Sequence, residues 1–358
     1  MFENDRIKEY LVPYMDEYVF DELTEEYLDK IGMKDILKGV PVPFKKTELN
    51  DLSGINLARS MAMVIGCDPE FKHAEAYKEF IKRAFGGNFV APLLAEGVGH
   101  ANKEEYERAC ICFRGAMFLQ PDNSDAVYSY ARACRDCYGG GEGEEYVGRF
   151  KAESLEAFEK LTLMAPDFEM GYYYLGYAYL NLGLYIKAQL TFKEFMSMTE
   201  DSRFDAAAER ILASGMTATK DELREEWDKL REEIGEWIEK LKEPVKIEEA
   251  YNHVLAGRYE EGIAILGQYT EDEAYNKWWP LYYYIGIAHE QLGQDEEAIN
   301  SYKALLQISP SNIDAMQGIV RLSEKNGDAE QAEKYTEKIK VINRNRQEEK
   351  AEQNPGYH

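Results

Sequence analysis

Cysteine and histidine are the residues here whose type and spacing could do chemistry. Cys134 and Cys137 stand three apart and Cys110 and Cys112 two apart, which are counts that zinc sites use. Both pairs fall in stretches with helical periodicity. Residues two apart on a helix point to opposite sides, so Cys110 and Cys112 cannot chelate one ion. Cys134 and Cys137 share a helical face, which leaves open a two-ligand site or a redox pair. Small buried apolar positions are the better account of all four. Of the five histidines, His100, His253 and His289 each follow a small residue (Gly97, Ala250, Gly286) by three. Tyr179 and Cys134 fill the same slot elsewhere, so the slot reads as a packing position. His73 and His358 have no such setting. His289-Glu290 lacks the second histidine of a zinc-protease helix. The glycine-rich YGGGEGEEYVG at 138–148 is not a phosphate loop. No strand precedes it, no Lys-Ser/Thr follows it, and its glutamates repel phosphate. It is expected to be a flexible loop between helices. No Gly-x-Ser-x-Gly or Ser/His/Asp pattern is present. The expectation is no catalytic residue, no metal and no cofactor.

The elements that would position any site are amphipathic helices. In GYYYLGYAYLNLGLYIKAQLTFKEF, 171–195, Tyr172, Leu175, Tyr179 and Leu182 make one apolar face, and Ala188, Phe192 and Phe195 a second. Gly183 closes the first helix, where a left-handed backbone is needed. Gly176 and Ala188 are small where the two helices cross. Such a hairpin cannot bury both faces alone and needs neighbours. In 282–310, Gly286, Gly293, Ala298, Tyr302 and Pro310 repeat the intervals. Gly97, Ala109, Phe113, Ala116 and Pro121 do so again, as do Ala250, Gly257, Tyr259 and Gly262, and Val320, Gly327 and Ala332. A sixth copy runs from Ala131 through Ser154 and Phe158 to Pro166, with the insertion inside it.

These intervals resemble the tetratricopeptide repeat family, whose period is about 34 residues. The resemblance covers residues 90–200 and 243–345. It implies an all-α fold, a right-handed superhelix of stacked helical hairpins (an α-solenoid). It also implies a non-enzymatic scaffold that holds a peptide or partner segment in a concave groove. The expected organisation is a helical cap at 1–50 and a degenerate helix pair at 51–89. A first array of three repeats at 90–202 follows, then a second degenerate pair at 203–242. A second array at 243–345 and a polar tail at 346–358 complete the chain. Within the cap, GVPVPF at 39–44 reads as a connector, because its prolines exclude continuous helix. Asp68-Pro69 reads as a helix start and Gly86-Gly87 as a stop. In 220–242, Leu223, Trp227, Leu230, Ile234, Trp237 and Leu241 alternate by four and three like a coiled-coil seam. It is expected to pack on the chain's own helices, with weak dimerisation as the alternative.

Carried over residue by residue, the groove lies three residues before and one after each small position. That gives Tyr128 and Arg132, Tyr173 and Tyr177, Tyr251, Tyr283 and Ile287, and Gln317 and Arg321, with Tyr174 and Tyr284 beside them. Tyrosine offers apolar area and one hydrogen-bonding tip at low entropy cost. The Lys and Asn of the family's carboxylate clamp are not visible at these places. The formal net charge of −25 opposes nucleic acid and anionic membrane, and favours basic partners. No apolar run approaches the ~20 residues of a membrane helix. The charged opening MFENDRIKEY does not read as a secretory leader. An odd cysteine count argues against a disulfide framework, so the expected setting is the cytoplasm. The alternative is an enzyme or metal/thiol protein with its active part in residues 1–89 or at Cys134/Cys137.

Overall fold

The computed structural model describes residues 5–49, 53–213 and 218–353. The last five residues of the tail expected at 346–358, including His358, lie outside these. The chain forms two compact units, Met1–Gly235 and Glu236–His358.

The first unit opens with a single helical turn, α1 (Lys8–Leu11), and a 3-10 turn at Val12–Glu17. Strand β1 (Tyr18–Glu22), the short helices α2 (Glu25–Ile31) and α3 (Lys34–Leu37), and strand β2 (Pro41–Lys45) follow. The strands pair antiparallel, with Tyr18 opposite Lys45 and Glu22 opposite Pro41. The expected proline-bearing connector is therefore a strand, and the cap is not purely helical. A two-stranded sheet consists of edges only, and an edge tolerates the missing N–H groups of Pro41 and Pro43.

Helix α4 (Gly54–Cys67) is capped by Ser53, whose side chain accepts from the Asn56 N–H. It packs against α5 (Ala74–Phe85). Asp68 does not start α5. Its carboxylate accepts from the Glu70 N–H at 3.1 Å in a local turn, and the helix begins at Ala74. At its other end Gly86 has φ 58°, as a chain-reversing stop requires.

Three hairpins come next: α6 (Val90–Ala101) with α7 (Tyr106–Leu119), α8 (Ser124–Gly140) with α9 (Glu144–Met164), and α10 (Glu169–Asn181) with α11 (Tyr185–Met198). Helices α12 (Asp201–Ala213) and α13 (Lys220–Lys240) complete the unit, whose boundary falls within α13. The second unit holds α14 (Lys242–Leu255) with α15 (Tyr259–Thr270), α16 (Trp279–Gln291) with α17 (Asp295–Ile308), and α18 (Ile313–Lys325) with α19 (Ala329–Gln353). The last helix outruns the expected end of the array at 345. Pro244 cannot donate to the Lys240 carbonyl, and the helical run breaks at Leu241.

One contact recurs in the hairpins. The small residue of the first helix lies on an aromatic ring of the second, sixteen positions on. A Cβ at Gly97 would stand 2.5 Å from the Phe113 ring, and one at Gly286 2.6 Å from the Tyr302 ring. Gly176 meets Phe192 in the same way. Phe192 is fully buried, which contributes about 2–3 kcal/mol by transfer alone. The turn between paired helices takes a left-handed residue in register: Gly183, Gly257, Gly293 and Gly327, and in the first hairpin Glu104 at φ 62°.

The insertion differs from expectation. Helix α8 runs through Gly140 and α9 begins at Glu144, so only three residues remain outside helix. Tyr146 explains the order. Its ring packs on Phe150 at 4.5 Å and on Tyr10 of the N-terminal segment at 4.9 Å, and its hydroxyl donates to Glu107 at 2.8 Å. The N-terminal segment is held by Arg114 as well. This fully buried guanidinium on α7 pairs with Asp5 and donates to the Gly66 carbonyl at 2.8 Å.

The α13 seam is used inside the chain. Trp227 is buried against Phe204, Ala207 and Ala208, and its indole N–H donates to the Thr199 carbonyl at 2.9 Å. Ile234 is fully buried, and in the second unit so is Leu241.

Candidate functional site

The tyrosines expected to line a groove fall into three groups. The first is built by α8 and α10. Tyr128, Arg132 and Arg135 follow at four and three residues, so they share one side of α8. Tyr174 comes from α10. Its ring stacks on Phe158 at 5.5 Å and faces Tyr128 at 5.9 Å. The Arg132 guanidinium lies 5.6 Å from the Tyr128 ring and 5.3 Å from the Tyr174 ring, and Arg135 lies 4.8 Å from Tyr174. Cation–π contacts of this length are each worth about 0.5–1 kcal/mol at partly exposed sites. Arg135 is also paired with Asp136 at 2.8 Å. Burial, then the neighbouring Tyr174, pushes the Tyr128 phenol up to about 12.

The second group is Tyr173 and Tyr177, one turn apart on α10. Both hydroxyls donate to the Glu233 carboxylate on α13. Tyr173 is 3.2 Å from each oxygen, and Tyr177 bonds to Oε1. Burial raises Tyr173 to about 12, with Glu233 as the next cause. Burial and Glu233 raise Tyr177 further still. The polar tips of these tyrosines are thus already engaged by the chain's own helix.

The third group lies in the second unit, on α14 and α16. Tyr251 and Tyr284 stack at 4.3 Å, 21° from parallel. Tyr283 meets Tyr284 edge-on at 5.6 Å. Ile287 is half-buried one turn further on. Gln317 and Arg321 of α18 are exposed, and Arg321 pairs with Glu290 at 3.1 Å rather than joining the aromatic stack. Trp279, 40% exposed and 6.3 Å from Tyr283, belongs to this surface but was not among the expected residues. The pattern could have shown it, since it precedes Tyr283 by one helical turn in WWPLYYY.

The remaining chemical candidates are packed. All five cysteines are free and buried. Cys134 lies against Cys110 Sγ, at 3.8 Å, across the α7–α8 contact. Burial raises the thiols of Cys67, Cys110, Cys112 and Cys134, so with nothing bound they stay protonated. His289 Nδ1 lies 2.5 Å from Gln294 and His100 Nδ1 2.6 Å from Glu105, in the same register of two hairpins. His73 packs against Phe71 and Tyr77. No helix among the described residues is long and apolar enough to cross a membrane.

Residues 291–349 match the family profile described as tetratricopeptide repeat. No curated protein matches the chain. Among solved structures, MamA is 14% identical, with 75% of this chain and 97% of that one covered and a TM-score of 0.25. Pseudomonas aeruginosa pilF is 12% identical, with 71% and 91% covered and a TM-score of 0.28. A chain of the APC/C hetero-tetramer is 12% identical, with 95% and 61% covered and a TM-score of 0.34. Scores this low add nothing to the fold, which stands on the packing above. The matched segment takes in α17, α18 and α19, and the crossing of small residue on ring recurs in both units. Over residues 291–349 the chain is similar to the tetratricopeptide repeat.

Proposed function

We propose that the chain is a non-enzymatic scaffold that binds a peptide or a segment of a partner protein against its tyrosine faces. Interaction with other proteins is what repeats of this kind suggest. The observation that carries the finer reading is the surface on α14 and α16. There Tyr251, Tyr283 and Tyr284 pack ring to ring yet stay half-buried, and Trp279 beside them is exposed. Rigid rings with solvent-facing area are what hot spots in protein interfaces use. The net charge of −25 steers basic segments toward the chain at long range. Five free thiols suit a reducing compartment such as the cytoplasm. With Trp227 and Ile234 buried in its own packing, α13 has little seam left for dimerisation, which favours a monomer.

The test is Tyr283→Ala with Tyr284→Ala. Partners recovered from the native cell by the unmodified protein should be lost at least tenfold, with the helical circular dichroism and melting profile retained. An unchanged partner set on an unchanged fold refutes the assignment of this face.

A further inference from the structure

Away from the tyrosine faces, one cluster combines donor types that hairpin packing does not require. Glu96 and His100 lie one turn apart on α6 and project from the same side. Cys112 reaches them from α7. A carboxylate oxygen, an imidazole nitrogen and the sulfur all lie within 4.8 Å of one another. His100 Nε2 is 3.7 Å from Glu96 Oε1, while Nδ1 is 2.6 Å from Glu105 Oε2. A carboxylate at Nδ1 holds the proton there and leaves the Nε2 lone pair facing the Glu96 oxygen and the Cys112 sulfur, an arrangement of three electron-pair donors that only a cation between them would satisfy. Metal-bound histidines are oriented in the same way.

The other hairpins serve as internal controls. His289 has the same brace, from Gln294, but the positions matching Glu96 and Cys112 are Ile285 and Ser301. His253 has Glu249 one turn before it, but Ile265 where the thiol would be. Among the described residues only the first hairpin brings carboxylate, imidazole and thiol together.

We propose that Glu96, His100 and Cys112 bind a zinc ion, with water as the fourth ligand. Tetrahedral bonds of 2.0–2.3 Å put donor atoms about 3.3–3.7 Å apart; His100 Nε2 and Glu96 already stand 3.7 Å apart, and the sulfur, within 4.8 Å of both, closes the remaining gap on binding. Thiolate and imidazole select zinc over calcium or magnesium. Other charged groups face the site. Arg59 of α4 pairs with Glu96. Glu48, Lys45 and Arg108 line the small cavity alongside. Lys45 is 3.5 Å from Glu48, and Arg108 is held by Glu17. On binding, the Arg59–Glu96 contact breaks and Glu48 is at hand to receive the guanidinium. The Cys112 S–H, which donates to Met63 at 3.6 Å in the metal-free chain, gives its proton to solvent. The thiolate–zinc, imidazole–zinc and carboxylate–zinc bonds replace zinc–water bonds of the aquo ion, one water staying as the fourth ligand and the others returning to solvent, and nothing is oxidised or reduced. The ion would tie α6 to α7.

Cobalt(II) added to the full-length, metal-free chain tests this. One equivalent should give a thiolate-to-cobalt charge-transfer band with the intense visible absorption of a tetrahedral site, both discharged by zinc. Cys112→Ser should abolish the charge-transfer band. His100→Gln, at a less buried position, should weaken binding at least 100-fold. Glu105→Gln should weaken it about tenfold, as loss of an outer partner does. Cys137→Ser should leave the spectrum intact. Because one proton leaves, affinity should fall about tenfold per pH unit on acidification. No charge-transfer band at one equivalent, or a band that survives both Cys112→Ser and His100→Gln, overturns the site and leaves the tyrosine-face reading untouched.

Discussion

Helices α10 and α16 carry nearly the same motif, GYYYLGYAY and LYYYIGIAH, and use it differently. On α10 the two outward tyrosines, Tyr173 and Tyr177, share the Glu233 carboxylate. On α16 Tyr283 and Ile287 occupy the same places, and no side chain among the described residues hydrogen-bonds the Tyr283 hydroxyl. Burial raises Tyr283, and Asp314 of α18 adds to that through its charge alone. The difference comes from what is packed next. In the first unit that is α13, which brings a glutamate to the phenols. In the second it is α18, whose Arg321 is engaged by Glu290. The motif therefore specifies the hairpin crossing in both units, while the neighbouring helix decides whether its outward tyrosines meet a carboxylate.

The shared half of the comparison should give the largest effect. Gly176→Val and Gly286→Val each force a side chain into the ring of Phe192 or Tyr302. Neither ring can retreat from a buried position, so each substitution should cost about 1–3 kcal/mol or more. Urea unfolding followed by far-UV circular dichroism checks this. The losses should be similar in the two units, and a tolerated substitution in either would mean that the crossings are not equivalent.

The unshared half should appear when hydroxyls alone are removed. Tyr173→Phe with Tyr177→Phe strips two donors from a carboxylate and should lose about 1–2 kcal/mol. Tyr283→Phe should change stability by less than about 0.5 kcal/mol, as surface changes do. The pH dependence has a definite sign. Tyr173 is raised from 10.0 to about 12 in the folded chain. Its contribution is complete below the unfolded value and is lost as pH rises through the folded one. Stability should therefore fall between about pH 10 and 12, and the fall should shrink in Tyr173→Phe. An equal shrinkage in Tyr283→Phe would erase the distinction between the two motifs.

The crossings were legible because they are local. A small residue and a ring sixteen positions apart can be read within a single hairpin, as at Gly97/Phe113, Gly176/Phe192 and Gly286/Tyr302. Neither the Glu233 contact nor the buried Arg114–Asp5 pair could be read in this way, since each joins residues 56 or more apart in sequence through a particular packing of helices. The strand pairing of 18–22 with 41–45 was hidden for a similar reason: its proline-rich half has no strand signal until a partner edge exists. In the insertion, glycine and glutamate content suggested a loop, but Tyr146 and its docking against Tyr10 outweigh propensity. The eleven residues expected to line a groove lie on the first helices of their hairpins. Which of them are engaged from behind depended on neighbours that periodicity does not reveal.

The smallest expected effect concerns the turn of the first hairpin. Four hairpins place glycine at the left-handed position, and the first places Glu104 there at φ 62°. For a residue with a Cβ that conformation costs about 1–2 kcal/mol relative to a right-handed one. Glycine removes the cost but has more unfolded-state entropy to lose, about 0.5–1 kcal/mol. Glu104→Gly should therefore be stabilising by no more than about 1 kcal/mol. Gly293→Ala, the reverse change at the matching turn, should be destabilising by a similar amount. Thermal melts of the two variants, which should move in opposite directions, check that the turns are equivalent. Movement in the same direction would mean that the first hairpin closes by a different rule, one in which the Glu104 side chain contributes more than its backbone costs.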